Sequence, residues 1–298
     1  MGMNQAISSY FNGKARAKIT AFVLAGLALF FYRDTLIEIA LSVLHREGSS
    51  HGLFVPFISA YFLWLKWERI HQAKTKFMPI AGVLWLCVGF ILLIAASFSD
   101  EASLAALSLL FVIAGIVAGI FGVEVFKEAS FPLFFLATMI PLPVALYSQI
   151  SEVMRAITTA GSMGVLKAFG VLYYREAYDV SLTNITLHVA HGCSGVRYLL
   201  SYFVFGLAYA FLFKSSFKSG ALVVFLTIPI SVIGGVARLS SVFLAAEYIG
   251  PFMAGHRPHI LVSWAVFGAV LFCAVAMDQA ISKRVCRGQS EQHKHAGG

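Results

Sequence analysis

Eight apolar stretches, most of them close to the about 20 residues that carry a helix across a bilayer, recur along this chain. They run about 18–36, 52–67, 78–97, 103–123, 128–147, 193–213, 219–246 and 259–282. Backbone polar groups in lipid must be satisfied within their own segment, so runs of this length predict helices. The composition agrees: 59% of the residues are hydrophobic and 12% charged, about half the charge of a soluble domain. The expected fold class is an all-α polytopic membrane protein of about eight transmembrane helices, with a short extracytoplasmic segment of amphipathic and β-like character. Arg33, Asp34 and Glu38 interrupt the far end of the first run. Its start resembles a signal peptide, but no small-residue cleavage site precedes the polar turn, and an uncleaved anchor is expected. In the short second run Trp64 and Trp67 suit interfacial anchoring.

Lysine and arginine set the orientation. With eight spans and the N-terminus inside, fourteen fall on inner segments (Lys14, Lys66 and Lys283 among them) and six on outer ones (Arg33, Arg46, Arg155, Lys167, Arg175, Arg257). This asymmetry places both termini in the cytoplasm. The net charge of +8 then reflects topology and contact with anionic lipid. No nucleic-acid motif, Walker loop or dinucleotide fingerprint is present, and nucleic acid is not an expected partner. The organisation expected is a cytoplasmic N-terminus (1–17), a membrane domain (18–282) and a basic, polar cytoplasmic tail (283–298), disordered from Gly288.

The longest segment between spans, about 148–192, falls outside. Its first part, 151–169, mixes Val153, Met154, Ile157, Met163, Val165 and Leu166 with polar residues, a pattern that predicts a helix lying along the interface. Its second part, 173–190, places Val180, Leu182, Ile185, Leu187 and Val189 in two short strands around Thr183-Asn184.

One cysteine stands apart from the other three. Cys87 and Cys273 lie inside apolar runs and Cys286 in the basic tail, whereas Cys193 opens the sixth span within His191-Gly192-Cys193-Ser194-Gly195-Val196-Arg197. Small neighbours, nearby histidines and an arginine four residues on make an electropositive, water-accessible setting in which a thiolate persists. Arg238 lies 19 residues into the seventh span, counted from Ser219, which at 1.5 Å per residue carries it to the outer end. His259 opens the eighth span at that same end. Three residues chosen for chemistry thus share one depth. Each also has a plainer reading: Cys193 as a small apolar residue, Arg238 as a snorkelling anchor, Arg197 as an ion-pair partner, and His259 as an interfacial side chain.

These residues bear a family resemblance. The chain resembles the exosortases and the related archaeosortases, membrane cysteine transpeptidases that process C-terminal sorting signals. Four stretches carry the likeness: Ser50-His51-Gly52-Leu53-Phe54-Val55-Pro56, Pro141-Leu142-Pro143, Cys193-Ser194-Gly195-Val196-Arg197, and the later Arg238 with His259 followed by Trp264. The resemblance covers roughly residues 18–282. Two positions depart from it. Gly235 stands where the family often has Asn three residues before the later arginine, and His191-Gly192 stands where Glu-Ala is common.

The resemblance implies a cysteine peptidase or transpeptidase in the bacterial inner membrane, without cofactor. Its partners would be exported proteins ending in a Pro-Glu-Pro-type motif, an apolar helix and a basic tail. Cys193 would be the nucleophile, His259 the proton carrier and Arg238 the oxyanion stabiliser, with Arg197, His51 and Ser194 supporting or binding substrate. A second reading stays open. His188, His191, Cys193, His256 and His259 form a nitrogen and sulfur set at the same end, suited to zinc or copper, and would make the chain a metal-binding membrane enzyme or a metal carrier. A transporter would show paired charges or broken helices in mid-membrane, and the spans offer few.

Overall fold

The computed structural model describes residues 19–20, 22–24, 26–45, 50–73, 78–99, 101–190, 192 and 195–295; at 43–45, 50, 256, 257, 259 and 281–295 the description is of the backbone only. The calls on Lys14, Arg46, His191, Cys193 and Ser194 lie outside the described residues, as do those on the side chains of His256, His259 and Cys286. Two compact units divide the chain, residues 1–144 and 145–298.

Among the described residues five helices are long and apolar enough to cross a membrane: Pro79–Ser99, Ala102–Ile120, Val196–Phe213, Phe217–Tyr248 and Ile260–Ala280. Their exteriors suit lipid, with Phe90, Phe98, Phe225, Leu261 and Phe272 all more than 60% exposed. The other three expected spans are shorter or broken. An apolar helical stretch, Phe22–Phe31, stands in place of the first, followed by a turn at Tyr32 and helix α1 (Arg33–His45). In place of the second, a 3-10 turn at Ser50–Leu53 leads into α2 (Val55–Leu65), whose early Pro56 suits a helix start. A further short helix, α3 (Trp67–Gln72), follows.

The remaining helices of the first unit are α4 (Pro79–Ser99), α5 (Ala102–Ile120) and α6 (Val123–Ala137). The fifth expected span, 128–147, is not one helix: α6 ends at Ala137, and residues 141–143 are non-helical. Pro141 and Pro143 hold the residues before them out of the helical region, a constraint that hydropathy does not register. Helices α4 and α5 form a hairpin closed by small residues. The buried positions of α4 are Gly82, Gly89 and Ala96, a seven-residue spacing that keeps one narrow face on its partner. A Cβ on Gly82 would stand 2.7 Å from the Gly119 Cα, so the two backbones touch directly.

The second unit begins with α7 (Val144–Ala168), followed by strands β1 (Tyr174–Glu176), β2 (Asp179–Ser181) and β3 (Thr186–His188). Then come α8 (Val196–Phe213), α9 (Phe217–Tyr248) and α10 (His256–His295). The strands form one antiparallel sheet in the order β1-β2-β3, with Val180 opposite Leu187 and Asp179 opposite His188. Val180, Leu182 and Val189 pack against Met163, Leu166, Leu239, Phe243 and Ala246. The hairpin expected around Thr183-Asn184 is present, and β1 adds a strand to it.

Helix α7 differs from the expectation for 151–169. Met154, Met163 and Leu166 are buried, but Val153 and Ile157 are exposed, and the rest of the buried stripe is polar: Ser151, Arg155, Thr158, Thr159 and Ser162. The helix does not lie alone on an interface with an apolar face down. It runs alongside α9 in the same direction: Thr158 meets Gly235, the Ser162 hydroxyl donates to the Val236 carbonyl, and the Phe169 carbonyl accepts from the Tyr248 hydroxyl. A stripe that mixes hydroxyls and an arginine with Met163 and Leu166 suits a helix whose buried face meets protein. The tail also departs from expectation, because α10 continues as helix to His295. Propagating an existing helix through Lys, Arg, Gln and Glu avoids the cost of nucleation.

Candidate active site

Gly195 fixes the approach to α8. It is the N-cap, with φ of 87°, in the left-handed region that glycine enters without steric cost. It sits in a close-fitting socket: a Cβ there would stand 3.5 Å from Thr158 Cγ2, 3.6 Å from Met154 Cε and 3.7 Å from the Gly235 Cα. The start of α8, the polar stripe of α7 and the middle of α9 therefore meet at one point. Cys193 stands two residues before this socket in the chain.

Gly235 belongs to the same junction. A Cβ at this position would come within 2.6 Å of Thr158 Cγ2 and 3.8 Å of the Gly195 Cα. The chain's departure from the Asn of the resembled pattern thus has a steric basis. Thr158 occupies the space a side chain at 235 would need.

One turn further along α9, Arg238 is buried at 7% exposure. Its Nε donates to Ser263 Oγ on α10 at 2.8 Å, and its guanidinium carbon stands 5.8 Å from the centre of the Tyr198 ring on α8. The Tyr198 hydroxyl donates to the Ser263 carbonyl at 2.9 Å. Below this triangle Tyr202 and Phe267 stack at 4.7 Å, and the Tyr202 hydroxyl donates to the Phe267 carbonyl. A guanidinium held in this way among three helices is not a snorkelling anchor, which would extend its charge to water. Ser263 follows His259 by four residues, so the His259 backbone lies about 6 Å before it along the axis.

Arg197 is exposed in the first turn of α8, and Trp264 is 68% exposed on α10. His51 lies in the 3-10 turn of the first unit, partly buried. Cys87 and Cys273 are exposed on apolar helices. His188 Nδ1 lies 2.6 Å from Asp179 Oδ1 across β2 and β3. Among the described residues no three His, Cys, Asp or Glu side chains converge as a metal site would require.

A second polar cluster adjoins the junction. Arg155, 7% exposed, donates from Nη2 to Glu152 at 2.7 Å and from Nη1 to the Val189 carbonyl at 3.4 Å. Its guanidinium covers the Tyr178 ring at 3.6 Å. The Tyr178 hydroxyl donates to the other oxygen of Glu152 at 2.6 Å, and this bond to the carboxylate, with some burial, raises the phenol above its ordinary pKa of 10. Ser263, Tyr198, Thr158 and this cluster were not singled out in the sequence. The only linear hint was a one-turn spacing, Ser263 after His259 and Met154-Arg155 before Thr158.

The family model described as transmembrane exosortase (Exosortase_EpsH) matches residues 43–276. No curated protein and no solved structure matches the chain. A match across most of the chain, including Arg238 and both flanks of Cys193, identifies it: the protein belongs to the transmembrane exosortase family.

Proposed function

We propose that this exosortase is a cysteine peptidase and transpeptidase of the bacterial inner membrane that cleaves C-terminal sorting signals of exported proteins at the extracytoplasmic face. The observation that carries the reading is the buried Arg238, bonded to Ser263 and facing Tyr198 where α8, α9 and α10 meet. Such an arginine costs too much in a membrane protein to serve only as packing, and it supports a site that handles developing negative charge.

In this mechanism the Cys193 thiolate attacks the scissile carbonyl and forms the carbon–sulfur bond of a tetrahedral oxyanion. Arg238, its Nε fixed by Ser263, directs guanidinium donors at that oxygen in surroundings drier than bulk water. As the carbon–nitrogen bond breaks, His259 protonates the departing amine, leaving a thioester on Cys193. Water resolves the thioester to an acid, or an acceptor nucleophile takes the acyl group and completes a transfer. Arg197, exposed one turn after the cysteine, pairs with a substrate carboxylate such as the Glu of Pro-Glu-Pro. Ser194, next to the cysteine in the chain, supports this site.

The test is co-expression with a secreted reporter ending in Pro-Glu-Pro, an apolar helix and a basic tail. Wild type is expected to shorten the reporter and to yield a hydroxylamine-sensitive adduct at Cys193. Cys193→Ser is expected to accumulate in the membrane and do neither. Shortening of the reporter by Cys193→Ser overturns the mechanism.

One observation favours the metal reading enough to keep it as a second proposal. A carboxylate on one ring nitrogen, as Asp179 is on His188, is the arrangement that orients a metal-ligating imidazole. Zinc or copper co-purifying with wild type and lost in His188→Ala would establish it; metal-free protein that processes the reporter would end it.

A further inference from the structure

Resting on the reading of Cys193 as nucleophile, we propose that Arg155 is a positioning residue, anchoring the nucleophile's segment to α7 through the Val189 carbonyl. Four groups close a ring around it. Arg155 Nη1 donates to the Val189 carbonyl and Nη2 to Glu152, Glu152 accepts from the Tyr178 hydroxyl, and the Tyr178 carbonyl accepts from the Val189 N–H at 2.9 Å. Val189, 2% exposed, leaves β3 four residues before Cys193 and is held through both of its backbone polar groups.

The far end of the segment is held by the same helix. Gly195, two residues after Cys193, lies against Met154 and Thr158, and Met154, Arg155 and Thr158 form one stripe of α7 a single turn long. Thr158 in turn touches Gly235, three residues before Arg238. One turn of α7 therefore sets both ends of the stretch 189–195 and relates them to the helix that carries Arg238. The Arg155 Nε is buried without a hydrogen-bond partner among the described residues.

The experiment uses the full chain in membranes with Cys87→Ala, Cys273→Ala and Cys286→Ala, so that Cys193 is the sole thiol. Arg155→Met and Arg155→Lys are compared with the parent in reporter cleavage and in the rate of Cys193 alkylation across pH. Lysine keeps a charge opposite Glu152 but lacks the planar fork that also reaches Val189. Both variants are expected to lower kcat about tenfold with KM within about twofold, since the anchor acts on the reacting group and not on substrate. Both are also expected to displace the pH–rate profile of alkylation, which does not depend on turnover.

An unchanged alkylation profile overturns the anchor, as does a rise in KM at constant kcat. Failure of both variants to accumulate marks Arg155 as a folding residue and also overturns it. Cys193→Ser runs alongside. If it cleaves the reporter, the underlying mechanism has failed; if it is inactive while Arg155→Met matches the parent in both readouts, the anchor alone has failed.

Discussion

Gly235→Ala adds one methyl where the structure has no space for it. The new Cβ would lie 2.6 Å from Thr158 Cγ2, well inside van der Waals contact, and 3.8 Å from the Gly195 Cα. Thr158 is fully buried and its hydroxyl is bonded to the Met154 carbonyl, so it cannot rotate away without losing that bond. Overpacking of this kind costs about 1–3 kcal/mol. Alanine in a helix interior returns about 1 kcal/mol of propensity, so the net loss expected is about 0–2 kcal/mol. Thr158→Ser removes the clashing methyl and keeps the hydroxyl, itself costing about 1 kcal/mol for the lost contact. Once the clash is gone, only the propensity gain remains for Gly235→Ala in the Thr158→Ser background. The coupling between the two substitutions is therefore about 1–3 kcal/mol and favourable. Thermal unfolding of purified protein in detergent, run for all four members of the cycle, measures it. Because Gly195 lies against the same methyl, reporter cleavage should fall in Gly235→Ala and recover in the double variant. Additive stabilities would refute the steric reading of Gly235, and so would wild-type reporter cleavage by the single variant.

Arg238→Lys is expected to lower cleavage by about a hundredfold or more, because lysine keeps the charge but loses the fork. Ser263→Ala should cost less, about tenfold, since it removes the residue that orients the donor and leaves the donor in place; wild-type kinetics in Arg238→Lys would remove it from the mechanism. On the thioester reading His191→Ala is mild and His259→Ala inactive, whereas on the metal reading both are equally damaging and both release metal, as cleavage assays with elemental analysis would show. An impermeant maleimide applied to spheroplasts should label Cys193 and spare Cys286, and the reverse labelling would invert the topology. Gly82→Val is expected to reduce accumulation in the membrane sharply, because its side chain would meet backbone at Gly119 that cannot move aside, and immunoblotting of membranes reads this directly.

The membrane character and five of the spanning helices were legible because a long apolar run has one stable solution in lipid, the helix that satisfies its own backbone. The strand pair at Asp179–Ser181 and Thr186–His188 was legible because alternation with period two has one structural meaning. Where two solutions share a pattern, the sequence alone chose wrongly. The run 128–147 has the hydropathy of a span, yet Pro141 and Pro143 interrupt it locally. Helix α7 buries Met154, Met163 and Leu166 as its periodicity suggests, but the same face also carries Arg155, Thr158 and Ser162, and periodicity does not state what a buried face meets.

By itself, then, the sequence determined that this is a helical membrane protein, and residue type and order singled out Cys193, Arg238 and His259 as candidates for chemistry. The tertiary structure decided what surrounds Arg238 and what holds the residues that flank Cys193 in the chain. Ser263 reaches Arg238 across 25 residues, and Arg155 reaches Val189 across 34. No linear spacing encodes contacts of that kind, because they exist only once α7, α8, α9 and α10 have packed. The same packing explains Gly235: the absence of a side chain there is set by Thr158, a residue 77 positions earlier whose methyl takes the space.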